Sequence, residues 1–316
     1  MASAPFAVNP TLTAIAIAYV NPLVTLIADR VLPRKSTGET FVYTRYDKAA
    51  AYTVPDTTVG RKGRPNFVEF DGAEVVDRCL DYGLDAPVPN RDIKLFADMP
   101  KAPGAKGPLE VATMMLTNLM LLSREVRVAQ LVFNAATYPA ANKAKLTGDE
   151  RFSDHANSDP LGFVLEKLDV PLVRPNVMVF GQEAWTQFRV HPDIVQACKG
   201  GAQQSGTVTR QQVAELFEVN EVLVGAGRHN VARKGQQPNF QRCWGKHIAL
   251  LSIDQMAAET DQPTFGWTAQ WGAKVAGTIN DPDIGIEGGV RVRSGEHVKE
   301  VISAPDAAFF IEDAVA

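Results

Sequence analysis

Pro108-Leu-Glu-Val-Ala-Thr-Met-Met-Leu-Thr-Asn-Leu-Met-Leu-Leu-Ser-Arg-Glu-Val-Arg-Val-Ala-Gln-Leu-Val-Phe133 is the stretch on which the reading of this chain turns. Ala112, Met115, Leu119, Leu122, Val126, Ala129 and Phe133 recur at alternating spacings of three and four, the signature of one face of a helix. Pro108 suits a first helical turn, Glu110 complements the helix dipole there, and Arg124 and Arg127 fall toward the other end. Such a helix would span about 40 Å at 1.5 Å per residue. The same spacing fits a coiled coil, but it lasts fewer than four heptads and lacks a regular charged flank.

Downstream, the pattern alternates between helix and strand. A polar stretch over 140–158 is followed by Asp159-Pro160, which caps a short helix through Leu168. Asn176-Val-Met-Val-Phe180 reads as a buried strand, Gln182–Phe188 and Pro192–Cys198 as brief helices. After the Gly-rich loop Gly200–Gly206, Thr209-Arg-Gln-Gln212 has capping-box spacing and opens a helix to Phe217. Glu221-Val-Leu-Val224 is the next strand, so this part predicts a mixed α/β unit. Residues 240–316 read mostly as β. Val290–Arg293 and His297–Ile302 alternate around a turn at Ser294-Gly295, and Ala307–Ile311 closes the chain as a buried strand.

Upstream, residues 1 to about 106 cannot make a compact unit by themselves. No charged side chain precedes Asp29, and Pro5, Pro10, Pro22 and Pro33 limit helices to short pieces. An apolar arm with no core of its own should lie on another surface. From Thr40 the text changes: Phe41-Val-Tyr-Thr44 and Asn66-Phe-Val-Glu-Phe70 are rich in β-formers. Between them lie Arg45, Lys48, Arg61, Lys62 and Arg64, opposed by Asp47 and Asp56. This predicts a long two-stranded excursion with a net-positive tip. A two-stranded ribbon is marginal in water alone, which favours a neighbouring subunit as its support. An ordinary surface hairpin with a solvated end fits the segment equally well. Residues 73–85 read as a short helix ending near Gly83, and Asp85–Gly107 as a Pro-rich crossing.

Composition bounds the function. Hydrophobic residues at 45% and charged residues at 22% are globular values. A net charge of -4, from 32 basic and 36 acidic residues, argues against a protein whose main task is gripping nucleic acid. Cys79, Cys198 and Cys243 are far apart and form no CxxC, so they read as reduced thiols of a cytosolic protein. The apolar run Ala14–Val20 has no basic flank, stops at Asn21-Pro22, and is far short of the ~20 residues that a membrane helix needs. The five histidines show neither HxxxH nor HExxH spacing, so no metal is expected. Gly225-Ala-Gly-Arg-His-Asn230 echoes a dinucleotide loop but lacks its third glycine and reads as a plain turn. Cys198 with His191 is the nearest thing to a nucleophile and base, with no orienting acid or oxyanion donors nearby. No catalytic or cofactor-binding constellation emerges, which points to a structural protein.

The order of arm, extended β loop, long helix, α/β unit and returning strands resembles the major capsid proteins of tailed bacteriophages, the Hong Kong 97-like Johnson fold. Local text resembles the lambda-type head proteins: Asp159-Pro160, Asn176-Val-Met-Val-Phe-Gly-Gln-Glu-Ala-Trp-Thr-Gln-Phe188, and Glu300-Val-Ile-Ser-Ala-Pro305 with Phe309-Phe-Ile311. The resemblance implies an α+β fold with an N-terminal arm (1–40), an extended loop (41–72), a peripheral domain (73–175 and 286–316) carrying a spine helix at about 108–134, and an axial domain (176–285). It implies a non-enzymatic, cofactor-free subunit of a virion that self-assembles in the host bacterial cytoplasm. There pentamers and hexamers build an icosahedral shell around double-stranded DNA, bound without sequence specificity. Portal, decoration and scaffolding proteins are the implied partners; the scaffold is expected to be separate, because the chain shows no helical, charged leader segment. The assembly contacts are expected at Ile15, Ile17, Tyr19, Val20 and Leu23 in the arm and at Arg45, Lys48, Arg61, Lys62 and Arg64 in the loop. A bacterial nanocompartment (encapsulin) shell shares this architecture and is the alternative; a soluble hydrolase is the lesser one.

Overall fold

The computed structural model describes residues 7–8, 26–46, 54, 56–65, 67, 72–99, 106–200, 205–233, 235–254 and 264–316. In chain order the elements are β1 (Ala7–Val8), α1 (Ala28–Val31), β2 (Arg34–Ser36), β3 (Thr40–Tyr46), β4 (Gly72–Arg78), β5 (Leu80–Pro89), α2 (Asn90–Asp98), α3 (Pro108–Val132) and β6 (Lys143–Lys145). They continue with α4 (Pro160–Leu168), β7 (Val177–Gly181), α5 (Gln182–Phe188), α6 (Pro192–Lys199), α7 (Arg210–Leu216), β8 (Glu221–Gly225), β9 (Arg228–Asn230) and β10 (Phe240–Arg242). The last four are β11 (Ile248–Leu251), β12 (Gly266–Asp281), β13 (Gly289–Ile302) and β14 (Ala308–Glu312).

Two five-stranded sheets organise the molecule. One has the order β6-β14-β11-β7-β8 and is mixed, with β7 parallel to β8 and β14 parallel to β6. Both of its faces are covered, which is why β7, β11 and β14 read as unbroken apolar runs rather than alternating ones. Met178, Phe180, Leu250 and Phe309 point to one side, where α4, α5, α6 and α7 pack through Leu168, Phe188, Ile194 and Phe217. Val177, Val179, Ala249 and Phe310 point to the other, against α1 and the C-terminal half of α3 through Val31, Val128 and Val132. The second sheet has the order β1-β12-β13-β5, with β2 parallel to the start of β12. The N-terminal half of α3 lies on it, where Leu116 meets Val88, Ala276 and Val292. The long helix therefore spans both cores.

The α3 boundaries match the predicted helix, but of the predicted stripe only Ala129 is fully buried. Thr113, Leu116, Thr117, Met120, Arg124, Val128 and Val132 are buried, whereas Met115 is 65% and Leu119 50% exposed. The helix is apolar nearly all round, so the three-four spacing fits two opposite faces, and packing on the sheet selects the other one. Three further expectations are corrected. Residues 73–85 are not a helix: β4 and β5 occupy them, because Val75 and Val76 pair across to β3 and residues 80–89 pair along β13. The predicted crossing contains α2. Ser294-Gly295 is no turn, since β13 runs unbroken from Gly289 to Ile302 against β12. The strand expected at 66–70 lies outside the described residues except Phe67, and β3 pairs with Gly72–Arg78 instead. The helices at 160–168, 182–188, 192–199 and 210–216 and the strands at 177–181, 221–225 and 308–312 fall where the text put them.

Candidate assembly site

Among the described residues, the β3–β4 ribbon meets the body at its base. Phe41 packs against Trp267 with ring centroids 5.4 Å apart, and Tyr43 meets the same ring edge-on at 6.3 Å. The opposite face carries Val42 directly across from Val76, both exposed. Farther out, the chain over 56–65 is exposed throughout, and a turn closes at Arg61-Lys62 with Gly63 N donating to Gly60 O at 2.7 Å. Arg61, Lys62 and Arg64 form no ion pair with any described residue. Phe67 beside them is 96% exposed. The ribbon thus exposes apolar side chains beside cations that pair with no described residue, more apolar surface than a two-stranded ribbon holds stably alone in water. Arg45 sits in β3 opposite Ala73. Ile15, Ile17, Tyr19, Val20, Leu23 and Lys48 lie outside the described residues.

Where the arm rejoins the body, it is clasped by two neighbouring side chains of α3. Glu125, fully buried, accepts Ile27 N at 2.9 Å, Ala28 N at 2.8 Å and Trp244 Nε1 at 2.5 Å. It thus caps the N-terminus of α1, a helix of four residues with no cap of its own. Arg124, 1% exposed, closes the other end by donating to Leu32 O at 3.0 Å and to Thr268 Oγ1 at 2.9 Å, and it pairs with Asp29. Arg34 donates to Asp29 at 2.7 Å and to Glu296 at 2.8 Å. Burial pushes the Asp29 carboxyl up, but Arg124 and Arg34 together outweigh it and hold it below the ordinary range. Burial pushes Glu125 up, against the pull of its three donors and Arg124. Arg30 pairs with Glu221, joining the arm to the edge strand β8. Sequence reasoning read Arg124 only as a dipole complement and passed over Glu125. The signal was present: they break a run of 13 uncharged residues, 111–123, on an otherwise apolar helix.

The residues singled out for chemistry go elsewhere. His191 is buried, with Nε2 3.1 Å from Ser158 Oγ, while Cys198 donates to Gln212 O at 3.8 Å. The cysteine that does meet a histidine is Cys243, 3.6 Å from His229 Nδ1; burial and the nearby Glu125 push its thiol up to about 11, so it stays protonated at neutral pH. Asp159 caps α4 as its place before Pro160 suggested, accepting Gly162 N at 2.8 Å. Among the described residues no group of three or more His, Cys, Asp or Glu is placed to hold a metal ion, and no helix is long and apolar enough to cross a membrane.

No family model matches the chain. The major capsid protein of Pseudomonas phage JBD67 is 47% identical over 317 residues, covering 100% of both chains. The chain belongs to the phage major capsid proteins. The capsid protein also shares its fold with a phage-related protein from Bordetella bronchiseptica RB50, at a TM-score of 0.71 with 22% identity and 98% of each chain covered. The SrpI encapsulin of Synechococcus elongatus PCC 7942 follows at 0.57, with 9% identity and 97% and 96% covered. Both of these likenesses are of fold alone, whereas the full-length identity lies with the JBD67 phage protein. The Hong Kong 97-like α+β fold, the structural role in a virion capsid and the assembly of many copies into that capsid follow from this membership.

Proposed function

We propose that this capsid protein closes into an icosahedral shell of pentamers and hexamers around the double-stranded DNA of a tailed phage, through the arm and the ribbon. Assembly in the host cytoplasm, with a separate scaffolding protein, a portal and a decoration protein as partners, belongs to the same reading. Residues 1–40 act as the arm and 41–72 as the extended loop that lies across an adjacent subunit. The peripheral unit takes 73–175 and 286–316, and the axial unit 176–285. Strand register argues for moving Gly266–Asp281 to the peripheral unit, because β12 is bonded to β13 from Gly266 to Asp281. The observation that carries the reading is the ribbon: an exposed Val42–Val76 pair, an exposed Phe67, and three exposed cations that form no ion pair with any described residue. Burial on a neighbour stabilises by about 25 cal/mol per Å² of apolar surface, repeated in every subunit. DNA is enclosed without sequence reading, and its charge is met by counterions.

Deleting residues 1–25 tests the arm. The truncated protein should stay folded, since the clasp at Ile27–Leu32 is intact, and should give no shells by negative-stain microscopy. Normal shells from it would remove the arm from assembly.

A further inference from the structure

Glu125 joins three parts of the molecule at one carboxylate. Its Oε1 takes both Ile27 N, from the end of the arm, and Trp244 Nε1, from the segment leading into β11; its Oε2 takes Ala28 N. The carboxylate itself rides on α3. All three donors are N–H groups, so the site is filled by an acceptor with no proton to give. Trp244 is fully buried and fixed on its other sides: it meets Phe133 edge-on at 4.9 Å, and a Cβ at Gly225 would come within 2.1 Å of its ring. A tryptophan so wedged between β8 and α3 cannot follow Glu125 if the mixed sheet turns against the helix. The bond to Glu125 must then either break or carry α1 along.

We propose that Glu125 is the positioning residue that sets where the arm leaves the subunit, and that through Trp244 it makes arm direction follow the orientation of the β6-β14-β11-β7-β8 sheet on the spine helix. This rests on the reading that residues before Leu26 serve assembly. Arg124 completes the grip at Leu32, but it bonds to the β12 side at Thr268 and not to the mixed sheet. Glu125 therefore bonds the arm to the spine helix and, through Trp244, to the segment entering β11, beside the Arg30–Glu221 pair at the sheet's edge. A subunit taking different positions in one shell would redirect its arm as its sheet turns, with no further contact needed.

Hydrogen–deuterium exchange on the full chain tests this directly. Glu125→Gln keeps the volume but turns one acceptor into a donor facing donors. Trp244→Phe keeps the arm's bonds and removes only the sheet's. Val213→Ala, in the core on the opposite face of the mixed sheet, reports general destabilisation. Relative to β11, exchange in the 26–32 segment should rise about tenfold or more in Glu125→Gln and several-fold in Trp244→Phe, and should be unchanged in Val213→Ala. A 26–32 segment equally protected in all three, or loosened as much by Val213→Ala, overturns the coupling. Electron microscopy of Glu125→Gln should show a lower yield of uniform shells; wild-type yield and size with a loosened arm overturn the positioning role. If the deletion of residues 1–25 itself assembles normally, the arm reading fails, and the exchange comparison still decides whether Glu125 couples arm to sheet.

Discussion

His191 illustrates how a residue that looks chemical in the text is absorbed by structure. It sits at the N-cap of α6, with Nδ1 accepting Asp193 N at 3.4 Å and Nε2 against Ser158 Oγ. Burial holds its pKa below the ordinary value, opposed by Asp193 and aided by His155, whose ring lies 5.1 Å away. The unfolded chain therefore binds a proton that the folded chain refuses. The stability this gives is complete above pH 6.5 and is lost as pH falls through the lower folded value. Urea midpoints of the unassembled subunit should drop from pH 7.5 to pH 5.5, and His191→Gln should flatten that drop. An equally steep drop in the variant would assign it to other groups. Gly225 is a second case: its place in a dinucleotide-like stretch reflects only the indole that occupies the space of its missing side chain.

At the scale of elements, legibility tracked how locally each one is decided. α4, α6 and α7 carry Pro or a side-chain cap at the N-terminus, and their boundaries could be read within a residue or two. β7, β11 and β14 are apolar on both faces, so only their length marks them as strands. β4 and β5 were invisible because Ala73–Gly83 has no strong preference of its own, and long-range pairing with β3 and β13 decides it. Ser294-Gly295 looked like a hairpin turn, yet Gly295 is a strand position where a Cβ would lie 3.1 Å from Tyr82 O. The face of α3 was misread because Ala112, Met115 and Leu119 repeat as cleanly as Leu116, Met120 and Val128. The rotated face makes a sharp prediction. Leu116→Ala should cost about 2–5 kcal/mol of subunit stability, and Leu119→Ala less than about 0.5–1 kcal/mol, both by denaturant titration. Equal costs would contradict the assigned face.

At the scale of the whole molecule, the sequence was most informative where it had least core. An arm with no charge before Asp29 and a ribbon with a basic tip pointed to an assembling subunit before any contact was known. The clasp that anchors the arm was not legible, because nothing local says that Glu125 will cap a helix 97 residues away. The tip's cations bear on association rather than folding. Reversing Arg61, Lys62 and Arg64 to Glu should leave the subunit's melting temperature unchanged and reduce shell yield most at low salt, where unscreened like charges repel the neighbour's acidic surface. A shell yield equal to wild type across salt would remove the tip from the interface.

The central claim is that the ribbon finds its missing support on another copy of the chain. A cryo-EM map of the assembled capsid tests it most directly. Density for residues 54–67 should lie on an adjacent subunit, with Phe67 and the Val42–Val76 pair covered and Arg61, Lys62 and Arg64 beside carboxylates. A ribbon that projects into solvent in every subunit of a well-formed shell would contradict it.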